Sequence, residues 1–348
     1  MPSARAALRV LLVTADPQLR VVLSEALRNT AGFVVAGVVR TASDSTRKCQ
    51  DLQPDVVVID SALPADEGYT AVQDVMAYRP TPILMLAGAV GGKEAFRALA
   101  MGALDVMPRP GPDTEVFARE LLHRLKLLSG VRVIQHVRGR RNKKRDRSAA
   151  PEGPPVVGIA ASLGGPRALA ILLKGLPRDL PAPVCVVQHI SDGFVDGLTG
   201  WLASESGFSV REAVDGEPLV PGTVLIAPSG KHLIVDEGDL VCLDDSVPFD
   251  GFKPSATRML ASLAARCGPR AVGVVLTGMG RDGAEGLLAI RRAGGRTLAQ
   301  DEATSTVYGM PRAAVEAGAV ERVVGIEEMA AVLVSVVREV AAASGAGR

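Results

Sequence analysis

Along the first third of the chain, short apolar runs alternate with longer stretches in which apolar residues recur every three or four positions. LRVLLV from Leu8, FVVAGVV from Phe33, DVVVID ending at Asp60, PILML (82–86) and ALDVM (103–107) read as strands. The intervening periodicity predicts helices over 17–29, about 43–51, 68–77, 93–101 and 113–128. Five apolar strands alternating with five helices predict a doubly wound parallel sheet. Sheets of this kind gather function at the carboxyl ends of their strands.

The pattern then breaks. VRGRRNKKRDRSAAPEGPP (137–155) is crowded with Arg and Lys, ends in Pro and Gly, and has no apolar period, so it reads as a linker. The chain thus divides into a first domain over 1–128, a basic Pro/Gly-rich linker over 129–154 and a second domain over 155–348. Apolar runs resume at 156–161, 184–189, 208–214, 223–228, 271–277 and 295–300, predicting a second α/β domain with a mostly parallel sheet. HLIVDEGDLVCLDD (232–245) differs, because two short runs flank Glu237, Gly238 and Asp239 as in a β-hairpin. A helix over 327–342 closes the chain.

Composition narrows the function classes. With 348 residues, 47% hydrophobic and 22% charged, the chain is large and apolar enough for two packed domains. A net charge of +1 gives no global attraction to nucleic acid or an anionic membrane, so neither is expected as a partner. Cys49, Cys185, Cys242 and Cys267 form no CxxC or Cys/His cluster, which argues against a metal site or disulfide framework. VLLV near the start is too short for a signal segment, and no run approaches the ~20 apolar residues of a membrane span. A cytoplasmic protein without membrane insertion is expected.

The chemistry concentrates in GIAASLGGP (158–166), where an apolar strand runs through Ser162 into a helix. A phosphate-binding loop would need GxxxxGK, but no lysine follows before Lys174, and GxGxxG is absent too. Two readings of Ser162 remain: an ordinary N-cap, or a nucleophile on a tight strand-to-helix turn whose amides face a developing oxyanion. A nucleophile requires a base and an orienting acid. Of four histidines, His123, His136 and His232 lie elsewhere, whereas His189 ends the run VCVVQHI at the carboxyl end of a strand, as Ser162 does. Asp282 lies in a third such turn, VVLTGMGRDGAEGL (274–287), although Glu285 three residues on also fits a capping box. Three matching turns carrying Ser, His and Asp favour a nucleophile, and their order differs from the Ser, Asp, His order of α/β-hydrolases.

GIAASLGGP, QHI and LTGMGRDGAEG resemble, in order and spacing, the serine, histidine and aspartate motifs of the chemotaxis-receptor protein-glutamate methylesterase/glutaminase family (CheB type). DGEPLVPGTVLIAPSGKHL (215–233) and AQDEATSTVYGMPRAA (299–314) match further stretches, and the resemblance spans nearly the whole chain apart from the linker. It implies a flavodoxin-like receiver joined to a methylesterase domain, and a triad of Ser162, His189 and Asp282 with oxyanion amides at Leu163 and Met279. The implied reaction is hydrolysis of glutamate methyl esters, with possible deamidation of glutamines, on a chemoreceptor cytoplasmic domain. No cofactor takes part in that catalysis, and a histidine kinase is the implied partner of the receiver. This chain departs from the family at three points: Leu163 replaces a threonine, Arg281 an asparagine, and FKPSATRML (252–260) lacks an acidic residue after Pro-Ser.

Resemblance to receivers makes Asp60 the phosphoacceptor. The other parts do not match: Thr14 and Ala15 stand where an acidic pair should hold Mg²⁺, Ala87 replaces the hydroxyl residue, and Arg109 replaces the lysine. A hard cation that loses its carboxylates binds poorly, so a degenerate receiver is expected. The alternative is that Asp16, one place late, completes a metal site with Asp60. Two other functions stay open: a non-catalytic signalling module that keeps the methylesterase fold, and an esterase of small molecules.

Overall fold

A computed structural model describes residues 7–88, 93–131 and 153–345. The chain divides near residue 134 into two compact units. Most of the predicted linker, with His136, lies outside the described residues.

The first unit runs β1 (Leu8–Val13), α1 (Pro17–Arg28), β2 (Phe33–Val39), α2 (Ala42–Leu52), β3 (Val56–Asp60), α3 (Glu67–Tyr78), β4 (Ile83–Ala87), α4 (Lys93–Ala100), β5 (Asp105–Pro108) and α5 (Thr114–Leu128). Its strands pair in parallel in the order β2-β1-β3-β4-β5. This is a doubly wound sheet whose strand order reverses between β1 and β3. Every residue of β3 and β4 is buried, as expected of strands covered by helices on both faces, and this explains why they read as unbroken apolar runs. Thr14 follows β1 and Asp60 ends β3, so both stand at the switch point.

The second unit begins with β6 (Val156–Ala161), α6 (Gly165–Gly175), β7 (Val184–Gln188), α7 (Val195–Ser206), β8 (Ser209–Glu212) and β9 (Thr223–Ile226). Then come β10 (His232–Asp236), β11 (Leu240–Asp244), α8 (Ala256–Cys267), β12 (Ala271–Val275), α9 (Ala284–Arg292), β13 (Arg296–Gln300), α10 (Met310–Glu316), β14 (Arg322–Val324) and α11 (Ile326–Gly345). Seven parallel strands form one sheet in the order β14-β13-β12-β6-β7-β9-β8, and the predicted hairpin forms a separate antiparallel pair, β10-β11. The predicted strand over 208–214 is shorter, and β14 was not anticipated because three residues carry no period.

Alternation along the central strands directs Ala160, Cys185, Val187, Leu225 and Val275 to one face of the sheet. They pack there with Met259, Leu260 and Leu263 of α8, Leu287 and Ile290 of α9, and Leu233 and Val235 of the hairpin. The next positions in the same alternation, beyond the strand ends, are Ser162 and His189.

Candidate active site

Ala161 at the end of β6 pairs with Gln188 at the end of β7, so Ser162 and His189 leave neighbouring strands at the same level. The His189 amide donates to the Ala161 carbonyl (3.0 Å), and the Ser162 amide donates to the Thr277 carbonyl beyond β12 (3.1 Å). Gln188, 4% exposed, ties the first two turns together by donating its Nε2 hydrogens to the carbonyls of Ser162 and His189, both at 2.8 Å. Thr277 Oγ1 donates to the Leu163 carbonyl at 2.9 Å and joins the third turn to the first. Two glycines permit this closeness. Gly164 holds φ +76°, and a Cβ there would collide with Thr306; a Cβ on Gly278 would lie 2.8 Å from the Ser162 Cβ.

Asp282 is buried and accepts bonds through both oxygens. Its Oδ2 takes the His189 Nε2 hydrogen at 3.0 Å and the Ala256 amide at 2.7 Å. Its Oδ1 takes the Ser255 hydroxyl at 3.0 Å and the amides of Thr257 (2.8 Å) and Gly283 (3.0 Å). Burial alone would raise its pKa, but the bond and charge of His189 and the Thr257 and Ala256 amides outweigh it and hold the carboxyl at about 2. The positive end of α8 therefore stabilises an anion supplied by a different turn. A carboxylate accepts only, so the His189 proton sits on Nε2. In the neutral imidazole Nδ1 is then the lone pair, and the atom is buried and without a hydrogen-bond partner.

These contacts correct one sequence reading and settle others. Asp282 does not cap its own helix in a box with Glu285: the N-cap of α9 is Gly283, which makes no side-chain bond. Asp282 bonds the first turn of α8 instead. That helix is capped by Ser255, whose side chain accepts from the Arg258 amide. The missing acid after Pro-Ser leaves this contact intact, because Ser255 and the Ala256 and Thr257 amides make it. Arg281 does not compete for Asp282; its side chain is 73% exposed and its nearest acid is Glu285 at 3.8 Å. The Leu163 side chain is buried. No backbone acceptor takes the amide of Leu163 or Met279 among the described residues.

Sequence reasoning missed His232 and Phe252. His232 is fully buried; its Nδ1 accepts the Ser255 amide at 3.1 Å and its Nε2 donates to the Val247 carbonyl at 3.2 Å. Phe252 stacks on the His189 ring, centroids 4.4 Å apart and planes 9° from parallel. The only signal for Phe252 was its place two residues before the Pro-Ser pair that precedes α8, and His232, at the start of β10, carried none. Cys185 and Cys267, by contrast, are buried structural thiols, pushed by burial up to about 12.

In the first unit Asp60 is 2% exposed and its carboxylate is engaged. Thr14 Oγ1 donates to Oδ2 at 2.9 Å and the Ala62 amide to Oδ1 at 3.1 Å. The Arg109 guanidinium lies 3.4 Å from both Asp60 oxygens and binds Asp16 Oδ2 at 2.5 Å. Asp16 spends its other oxygen on capping α1, accepting the Gln18 and Leu19 amides at 2.8 and 3.2 Å. The Leu19 amide above all, then the Gln18 amide and Arg109, hold its carboxyl below the ordinary value against burial. Arg109 bridges the two carboxylates, and no third acid joins them: among the described residues no three His, Cys, Asp or Glu side chains converge on a metal position. The Arg109 guanidinium therefore stands against both carboxylates that the sequence offered to a cation.

A carboxylate holding an imidazole at the carboxyl ends of central strands, with a serine in register beside it, is the organisation of acyl-transferring serine hydrolases. Its union in one chain with a receiver-type sheet narrows the class to signal-regulated hydrolases. Comparison with known proteins gives the particular family. Residues 157–333 match the CheB methylesterase family model and residues 10–119 the response regulator receiver domain. Over 324 residues the chain is 49% identical to protein-glutamate methylesterase/protein-glutamine glutaminase 2 of Anaeromyxobacter dehalogenans (strain 2CP-C), covering 92% of this chain and 95% of that one. It is 47% identical over 282 residues to the protein-glutamate methylesterase FrzG of Myxococcus xanthus, covering 80% and 84%. The crystal structure of the Thermotoga maritima CheB methylesterase catalytic domain superimposes with a TM-score of 0.51 at 35% identity, over 53% of this chain and 98% of that one. The chain belongs to the CheB methylesterase family.

Proposed function

We propose that this chain removes methyl groups from glutamate γ-methyl esters on the cytoplasmic domain of chemoreceptors, with Ser162 as nucleophile, and that it works in the cytoplasm. The observation that carries this reading is the His189 imidazole, which gives its Nε2 hydrogen to Asp282 and keeps a buried, unpartnered Nδ1, on a residue that leaves β7 at the level where Ser162 leaves β6. His189 Nδ1 takes the Ser162 hydroxyl proton as Oγ bonds to the ester carbon. The oxyanion forms against the Leu163 and Met279 amides, and the proton passes from His189 to the departing methoxide to give methanol. Water, deprotonated by His189, then releases the acyl group as glutamate and restores Ser162. A glutamine side chain presents the same acyl carbon and loses ammonia by the same steps, so deamidation belongs to the same site.

A serine-directed fluorophosphonate tests the assignment. It should label wild-type protein at Ser162 and leave Ser162→Ala unlabelled; labelling elsewhere, with esterase activity intact, would overturn it. For the first unit, the reading is a receiver that does not take phosphate on Asp60 and needs no Mg²⁺, because Arg109 already neutralises the acidic pair. The exchange of a metal for a guanidinium removes the charge that phosphoryl transfer uses.

A further inference from the structure

Phe252 lies outside the residues assigned above, yet its ring covers a face of His189. The segment that carries it is held on several sides. Phe249 and Phe252 exchange two backbone bonds (3.0 and 2.9 Å), Lys253 Nζ binds Asp245 Oδ1 at 2.7 Å, and His232 holds the Val247 carbonyl at 3.2 Å. The Phe252 ring is therefore delivered to His189 by fixed backbone rather than by a free side chain. Without a cover, an imidazole held by one hydrogen bond could rotate about it, and water could reach Nδ1. In the structure one face of the ring is covered by Phe252 and Nδ1 is buried. A phenyl face also attracts a cation, and His189 carries positive charge while it holds the proton taken from Ser162.

We infer that Phe252 is a positioning residue for the methylesterase reaction, holding the His189 ring plane with Nδ1 toward Ser162 and stabilising the imidazolium formed in the transition state. The inference rests on the Ser162–His189 reading above. Leu keeps the apolar cover of Phe252 but has no π face, whereas Tyr keeps the face. Phe252→Leu in the full chain should lower kcat on methylated receptor fragment, and the rate of Ser162 labelling by a fluorophosphonate, by about 3–30-fold. KM should stay near wild type, Phe252→Tyr should restore most of both rates, and Phe249→Leu on the same segment should leave them unchanged.

Thermal melts of each variant identify any loss that comes from unfolding. If Phe252→Leu folds and labels at the wild-type rate, the inference fails. A rise in KM alone would make Phe252 a substrate contact and overturn it equally, as would a loss shared by Leu and Tyr. Wild-type protein that hydrolyses ester but is not labelled at Ser162 would instead overturn the underlying assignment.

Discussion

Asp282 concentrates the electrostatics of the site in one side chain. It accepts from His189, from the Ser255 hydroxyl and from the first amides of α8, so it is held charged well below its ordinary pKa of 3.8, at about 2. A lowered folded-state pKa stabilises the fold above the unfolded value, and that stability is lost as pH falls through the folded one. Asp282 should therefore contribute on the order of 2 kcal/mol at neutral pH, lost between about pH 4 and pH 2. Denaturant unfolding across that range checks it, and Asp282→Asn should remove that acid dependence. The same variant leaves His189 without its anionic partner and should reduce kcat by about 10³–10⁴-fold; a smaller loss than tenfold would contradict the orienting role. The three residue types, and His189 as a partner for Asp282, were readable from their turns, but the contacts of Asp282 with the start of α8 were not. A contact with residues 255–257 is invisible to spacing within residues 274–287.

At the scale of elements, the site is built from strand ends in register and one helix start. The central strands announced themselves by apolar runs, and their adjacency β12-β6-β7 is what makes widely separated motifs neighbours. Sequence suggested that adjacency without fixing it. The first turn of α8 went unassigned because its ligand comes from another segment. Ser255 caps that helix and also bonds Asp282 at 3.0 Å, so Ser255→Ala should cost about 1–2 kcal/mol in the second unit and slow the reaction. Thermal unfolding and kcat measured together separate the two effects. Gly164→Ala imposes a side chain on a left-handed residue packed against Thr306 and should cost about 1–3 kcal/mol. A fully stable and active Gly164→Ala protein would show that the serine turn is looser than described.

For the whole molecule, a receiver-type unit and a methylesterase unit share one chain, and both depart from their families' motifs at named positions. The departures at Thr14, Ala15, Ala87 and Arg109 were visible as letters; that Arg109 spans Asp16 and Asp60 was not, because a substitution does not say where the long side chain goes. Incubation with Mg²⁺ and acetyl phosphate should leave the intact mass unchanged, and stoichiometric phosphorylation of Asp60 would contradict the metal-free reading. The central claim concerns the second unit. It is tested most directly by methanol released from a methylated chemoreceptor cytoplasmic fragment by wild type and by Ser162→Ala. Release by wild type, abolished in a folded Ser162→Ala protein, is the predicted result. Equal release from both, or none from wild type on a fragment that another family member demethylates, would contradict it.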